Sequence, residues 1–345
     1  NVTILFGEMI HFLARNMAKE YDYLYDQIVC YGELLSTTIV SEYFNDIGIT
    51  NSWRDARELV ITDAVFRDAS VHWVETEKRI KTKIDTSKIT IVQGFIAGDL
   101  NGNTTTLGRE GSDFTAGIFA YCLDAESLTI WKDVSGILNA DPREFKDPQL
   151  LEQISYEETI EMAFYGASVI HPKTIKPIQN KKIPLIVRSF KNLNSKGTKV
   201  TNKAEMIPNI PCYIVKKNQV LVSIASLDFS FIVEENISQI FKLFHKYQLK
   251  VNLIQNSAIS FSVCLDNNLN HFDQLFNEIK VLYNVSFVKN VDLFTVRLFT
   301  VTLGCFSWLI LQLSVICISV LSREVSKPSQ TSSKPAESCN SAVNV

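Results

Sequence analysis

Between residues 89 and 187 short apolar runs alternate with stretches of helical periodicity, and this alternation limits the chain to few architectures. Residues 89–97, 128–133 and 183–187 read as strands; the segment that the 107–116 stretch opens, through about 125, then 155–164 and 168–179, read as helices. Strands separated by one helix pair in parallel through a right-handed crossover. The order βαβαβ predicts an α/β fold with a doubly wound, mainly parallel sheet. Such sheets bind ligands beyond the carboxyl ends of their strands. The chemistry is therefore expected after residue 97 and after residue 133.

Both places carry suitable residues. After a turn at Asn101, Gly102 and Asn103 comes the stretch 107–116, with Gly108, Arg109, Glu110, Gly111, Ser112 and Asp113. Glycines that admit close backbone approach, a cation, and Ser and Asp as cap candidates at a helix start describe an anion-binding turn. The second strand ends in Lys132 and Asp133 and runs into 134–143, ending in Asp141, Pro142 and Arg143. Asp133 can accept from a base or ribose, and Arg143 can meet phosphate oxygens with its planar fork. Upstream, 21–47 reads as a helix with Gly32 inside it, which costs about 1 kcal/mol against alanine and asks for a close contact or a ligand. Glu33 beside it can present a carboxylate to an amine. Taken singly, Glu33, Asp133 and Arg143 also fit a solvated helix face, a turn and a surface. Residues 53–73 read as surface loops and short strands, and His171 with Pro172 as a helix entrance.

Residues 192–211, poor in aliphatics, read as a linker. Beyond them the order βαββαβ over 219–288 predicts a small ferredoxin-like domain, with one more strand starting in 292–297. Residues 298–321 carry no charge and are long enough for a membrane span. That run is either an anchor or sequence foreign to the domain before it, and residues 322–345 are expected to be a disordered tail. A net charge of -3 with scattered lysines argues against a nucleic-acid partner. Seven cysteines without CxxC spacing read as reduced core residues of a cytoplasmic protein, not as a zinc site or a disulfide frame.

The motifs lie in a familiar order: Gly32, Glu33, Leu34, Leu35, Ser36; then 108–116; then Trp131, Lys132, Asp133, Val134, Ser135, Gly136; then Asp141, Pro142, Arg143; then Tyr165, Gly166, Ala167 leading to His171 and Pro172. The chain resembles the aspartate kinases of the amino-acid kinase superfamily, followed by an ACT regulatory domain. It is most similar to the form of Bacteroidetes-like bacteria, where Glu110 replaces a second glycine. The resemblance implies a kinase domain over 1–191, a linker over 192–212 and ACT sequence over 213–297, with a second ACT domain cut short. It implies transfer of the ATP γ-phosphoryl group to the side chain of L-aspartate with Mg²⁺, as the first step toward lysine, threonine and methionine. Arg109 and Asp113 are the implied catalytic residues. Glu33, Arg109, Gly111 and Ser112 are the implied substrate contacts, and Lys132, Asp133 and Arg143 the nucleotide contacts. Asn252 and Ser257 are implied at a lysine or threonine effector site, in a homo-oligomer joined through ACT domains.

The chain also departs from the pattern. Leu138 stands where the family has an aromatic residue and Ser168 where many members have lysine. The Lys-Phe-Gly-Gly-Thr-Ser motif that opens the family is not found, since residues 4–8 carry Leu5 in the lysine position. An N-terminally truncated kinase with little activity of its own is therefore expected. The rival expectations are a non-catalytic amino-acid sensor and a membrane-tethered variant.

Overall fold

A computed structural model describes residues 2–167, 169–228, 230–267, 269–300 and 312–319. The chain opens with helices α1 (Val2–Arg15) and α2 (Tyr21–Asp46). Helix α2 buries Cys30 and Leu34 against Ala56 and Ile96, with the polar Asp26, Thr38 and Ser41 on the same face, whereas the apolar Ile28, Ile39 and Tyr43, whose spacing predicted the helix, are exposed. No atom lies within 4 Å of where a Gly32 side chain would begin, so the close contact expected there is not made. Two small sheets follow. Strand β1 (Asn51–Arg54) pairs in parallel with a later strand, and β2 (Ile61–Thr62) precedes helix α3 (Trp73–Lys83).

Residues 89–97 do not form one strand. They divide into β3 (Ile89–Val92), the partner of β1, and β4 (Ile96–Asp99), which lies between β2 and β5 (Thr104–Thr106) in a second sheet. The break is made at Gln93, Gly94 and Phe95. Gln93 is fully buried and its Oε1 accepts from the Ala56 amide at 2.8 Å, while Phe95 takes φ 70°. Residues 53–73 are also more than surface loops, since Ala56, Leu59, Val60, Ile61 and Ala69 are buried.

Helix α4 (Gly111–Cys122) leads to β6 (Leu128–Lys132). The third sheet has the order β6-β8-β9-β7, with β7 (Gln153–Ser155), β8 (Leu185–Ser189) and β9 (Thr198–Thr201). Strands β6 and β8 are parallel, as predicted, whereas β6 and β3 belong to different sheets. Helices α5 (Tyr156–Tyr165) and α6 (Pro172–Asn180) lie between β7 and β8 in sequence; α6 starts later than predicted, at the Pro after His171. Ser168 lies outside the described residues. Helix α4 packs on α6 closely enough that a Cβ on Gly117 would come within 2.9 Å of the Thr174 carbonyl. The stretch read as a linker contains β9, whose Thr198 and Val200 are buried in this sheet.

The C-terminal unit is an antiparallel sheet of order β11-β12-β10-β13-β14. It is built from β10 (Cys212–Ala225), β11 (Val251–Asn256), β12 (Ser260–Asp266), β13 (Asn284–Thr300) and β14 (Gln312–Ser319). Helices α7 (Glu234–Lys246) and α8 (Leu269–Ile279) complete the expected ferredoxin-like order, and Ile240 and Phe244 of α7 share one core with Val220 and Phe261. Residues 292–297 continue β13 instead of starting a new strand. Of the apolar run 298–321, residues 298–300 and 312–319 are paired strands; the rest, with 322–345, lies outside the described residues. Among the described residues no helix is long and apolar enough to cross a membrane. Cys30, Cys122, Cys212 and Cys264 are buried free thiols, as expected.

The two units are clamped by Arg297 of β13. Its Nε and one terminal nitrogen meet the two Glu158 oxygens of α5 at 2.9 and 2.8 Å, and its other nitrogen reaches Glu161 at 3.2 Å. Both Arg297 and Glu158 are largely buried, so Arg297→Ala leaves a carboxylate without its fork. The variant is expected to lose about 2 to 3 kcal/mol, with Arg297→Lys recovering less than half. The midpoint of urea unfolding reads this, and an unchanged midpoint would show that the clamp does not hold the units.

Candidate active site

The first turn of α4 is positioned by its close neighbours. Gly108 takes φ 75°, and a Cβ there would lie 2.5 Å from a carboxylate oxygen of Asp68. Glu110 is the N-cap of α4 in the left-handed region, φ 55°, with no side-chain cap. This conformation favours glycine. Ser112 and Asp113, the expected caps, fall inside the first turn. A Cβ on Gly111 would meet the Phe95 ring at 2.6 Å, and one on Gly94 would meet Ser112 at 2.8 Å. The Phe95 amide donates to Thr115 Oγ1 at 3.0 Å. The 93–95 turn is thereby locked against the helix start, whose first amides have no partner within the helix and suit an anion.

Lys132, at the end of β6, faces this turn. Its Nζ donates to Glu110 Oε2 at 3.2 Å and lies 2.8 Å from Asp113 Oδ2. The Asp113 oxygen is buried and accepts no directed hydrogen bond, so the contact is ionic rather than directional. Burial pushes the Asp113 carboxyl up, and Lys132 only partly offsets it. Burial alone would lower the Lys132 ammonium, but Asp113 and Glu110 raise it further, so it stays charged. Arg109 is exposed, with no ion pair among the described residues. His171 caps α6, its Nδ1 accepting from the Lys173 amide at 3.1 Å. Burial, Lys173 and Arg109 hold its pKa down, which keeps that nitrogen free to accept.

Glu33 comes to this region on α2. Seven residues before it on the same helix face, fully buried Asp26 accepts from the Arg67 and Thr106 amides at 2.9 Å each and from Thr106 Oγ1 at 2.8 Å. Four residues after it, Thr37 Oγ1 receives the Gln93 amide at 2.8 Å. Asp26 thus ties α2 to the strand that leads into Gly108, and Thr37 ties it to the turn that packs on Ser112. Burial pushes the Glu33 carboxyl up. It forms no ion pair among the described residues, which suits an incoming ammonium. Asp26 and Gln93 were not singled out in the sequence, where a polar residue inside a helix or a strand gives no signal of burial.

The nucleotide candidates line a cleft of about 470 Å³. Lys132, Asp133, Asp141 and Arg143 supply its charged part, and Leu138, Pro142, Met162, Val169 and Val215 its apolar part. Arg143 is 80% exposed and forms a fork with Asp141, at 2.7 Å in its shortest contact. Asp133 is exposed, 4.0 Å from Lys191. Lys132 therefore belongs to both halves of the site. Tyr213, at the start of β10, lines the same cleft; its position after the supposed linker hid it.

The two regulatory candidates do not converge. Asn252 is buried and donates to Gln219 at 2.7 Å and to Asp266 at 2.8 Å, while accepting from Lys216 at 2.8 Å. Its amide is fully used inside the C-terminal unit. Burial would raise Asp266, but Lys216, Gln219 and Asn252 together hold it below the ordinary range. Ser257 is exposed in the turn before β12, 2.7 Å from Ser260 Oγ.

The model of the amino acid kinase family matches residues 7–189. Lysine-sensitive aspartokinase 3 of Escherichia coli (strain K12) is 33% identical over 246 residues, covering 70% of this chain and 55% of that protein. Aspartokinase 1, chloroplastic, of Arabidopsis thaliana is 32% identical over 248 residues, covering 70% of this chain and 43% of that protein. The chain thus spans about half the length of these curated relatives. The crystal structure of E. coli aspartokinase III with aspartate and ADP superposes with a TM-score of 0.71 at 28% identity, over 86% of this chain and 68% of that one. Clostridium acetobutylicum aspartate kinase shares the fold, with a TM-score of 0.72 at 23% identity, over 86% and 67%. The family match covers the site from the α2 carboxylate to the end of β8, and the chain belongs to the amino acid kinase family.

Proposed function

We propose that this site transfers the γ-phosphoryl group of ATP to the side-chain carboxylate of L-aspartate, giving 4-phospho-L-aspartate. The observation that carries the reading is Lys132, which contacts Asp113 and Glu110 at the start of α4 while lining the cleft that suits a nucleotide. The likeness to E. coli aspartokinase III in complex with aspartate and ADP supports it. The acceptor is already an anion at neutral pH, so no general base is needed. The protein's task is to bring two anions together and offset the charge on the transferring group.

In this reading Glu33 takes the substrate ammonium and Arg109 its α-carboxylate. Gly111 and Ser112 present helix-start amides, and Asp113 orients the Lys132 ammonium between the reactants. Arg143 and Asp133 hold the nucleotide. In this reading Mg²⁺ would arrive on the nucleotide phosphates. Mg²⁺ supplies charge neutralisation there. The C-terminal unit would take an amino-acid effector and pair with a second copy, as part of a cytoplasmic biosynthetic enzyme. A complex of E. coli aspartokinase III with lysine and aspartate supports the effector reading.

Aspartyl phosphate trapped as its hydroxamate tests the reaction. Arg109→Ala is expected to weaken L-aspartate about 10- to 100-fold, the worth of a charge-assisted fork, with little change for the nucleotide. Equal L-aspartate affinity in the variant would remove Arg109 from the substrate side.

A further inference from the structure

The nucleotide cleft has a wall that belongs to the C-terminal unit, and this wall carries an aromatic ring. Tyr213 sits at the start of β10 and lines the cleft with Leu138, Pro142 and Val215. Three contacts fix its position. The Tyr213 amide donates to the Asn139 carbonyl at 2.7 Å, Tyr213 forms a parallel bridge with Ala140, and the Asn139 side-chain amide donates to the Pro211 carbonyl at 3.1 Å. The Phe145 ring lies 5.7 Å from the Tyr213 ring at an interplanar angle of 32°. Lys217 of the same strand pairs with Glu144 at 2.6 Å. The loop that carries Arg143 is therefore zipped to the strand that carries Tyr213.

We infer that Tyr213, backed by Phe145, is the platform on which the nucleotide base rests, and so a specificity-determining residue for the proposed kinase reaction. The inference rests on the nucleotide reading of this cleft. The cleft divides chemically: Lys132, Asp133 and Arg143 form a charged end suited to phosphates and ribose, and the aliphatic walls with Tyr213 form an apolar end suited to a flat heteroaromatic ring. Tyr213 is 37% exposed, so the ring keeps accessible surface despite its neighbours. Stacking on an aromatic side chain tolerates different bases, since every base has a π-face. The platform therefore favours nucleotides over bare polyphosphate without choosing strongly between purines. Because Tyr213 is part of β10, base binding also reaches the C-terminal sheet directly. Lys216, three residues on, donates to Asn252 and pairs with Asp266, and its stem lies 3.5 Å from where a Cβ on Gly166 of the cleft would stand.

Titration calorimetry of the whole chain with Mg-ADP and with Mg-pyrophosphate tests this. Tyr213→Ala is expected to weaken ADP about tenfold or more while leaving pyrophosphate unchanged, and Tyr213→Phe to restore ADP binding. Equal ADP affinity in parent and Tyr213→Ala overturns the platform alone, as does an equal loss of ADP and pyrophosphate, which marks a purely structural role. A parent chain that binds neither ligand overturns the nucleotide reading and the platform with it.

Discussion

Lys132→Met is expected to weaken Mg-ADP about 100-fold and to slow phosphoryl transfer by about 10²- to 10³-fold relative to the parent chain. Methionine keeps the length and apolar stem of the lysine but leaves Glu110 and Asp113 facing the cleft without the ammonium now 3.2 and 2.8 Å from them. Two carboxylates at the place where the proposed reaction brings phosphate oppose binding as well as failing to assist it. The same change has a titration signature. Burial already holds the Asp113 carboxyl above its ordinary 3.8, and Lys132 is the group that counters the rise. Without Lys132 the carboxyl moves further up. A carboxyl whose pKa is higher in the folded than in the unfolded chain stabilises the fold below the unfolded value and loses that contribution as pH rises through the folded one. The variant should therefore lose stability over a wider range above pH 3.8 than the parent does. Carboxyl NMR titration together with ADP calorimetry reads both effects. Unchanged ADP affinity would remove Lys132 from the phosphate side.

Asp26→Ala should be the most damaging single change to the fold. The Asp26 carboxylate is fully buried and is the acceptor for two backbone amides and one hydroxyl. Alanine strands all three donors where water does not reach them, at a cost of about 3 kcal/mol or more from a typical stability of about 5 to 15 kcal/mol. Asp26→Asn keeps one acceptor oxygen but turns an NH₂ toward a donor, so it recovers only part. Because the same helix face carries Glu33, a folded Asp26 variant should also bind L-aspartate more weakly. Urea unfolding followed by circular dichroism gives the stability. A loss under about 1 kcal/mol would mean that the donors find other partners.

Much of this was legible in the sequence because it depends on local periodicity. Helices α2 and α7, strands β6 and β8, and the βαββαβ order of the C-terminal unit follow from apolar spacing. What was hidden depends on partners distant in sequence. The break at residues 93–95 sits within an apolar run, and only the Ala56 amide that receives Gln93 reveals it. Strand β9, Thr-Lys-Val-Thr, is too short and polar to signal burial, so a sheet strand reads as a linker. The strained backbone at Glu110 shows only once φ is known. Of the candidate site, Arg109, Asp113, Lys132 and Arg143 were named from motif order, and Lys132 and Asp113 lie side by side in the structure. Tyr213 was not named, because it reaches the cleft from another unit. The contacts of Asn252 with Lys216, Gln219 and Asp266 were likewise hidden, because those partners lie 14 to 36 residues away in sequence.

The most direct test of the account is calorimetric titration of the chain with L-aspartate in the presence of Mg-ADP, repeated with Arg109→Ala and Lys132→Met. Saturable binding of both ligands is expected, with L-aspartate weakened chiefly by Arg109→Ala and ADP chiefly by Lys132→Met. Binding of neither ligand, or of both with affinities that the two substitutions leave unchanged, would contradict it.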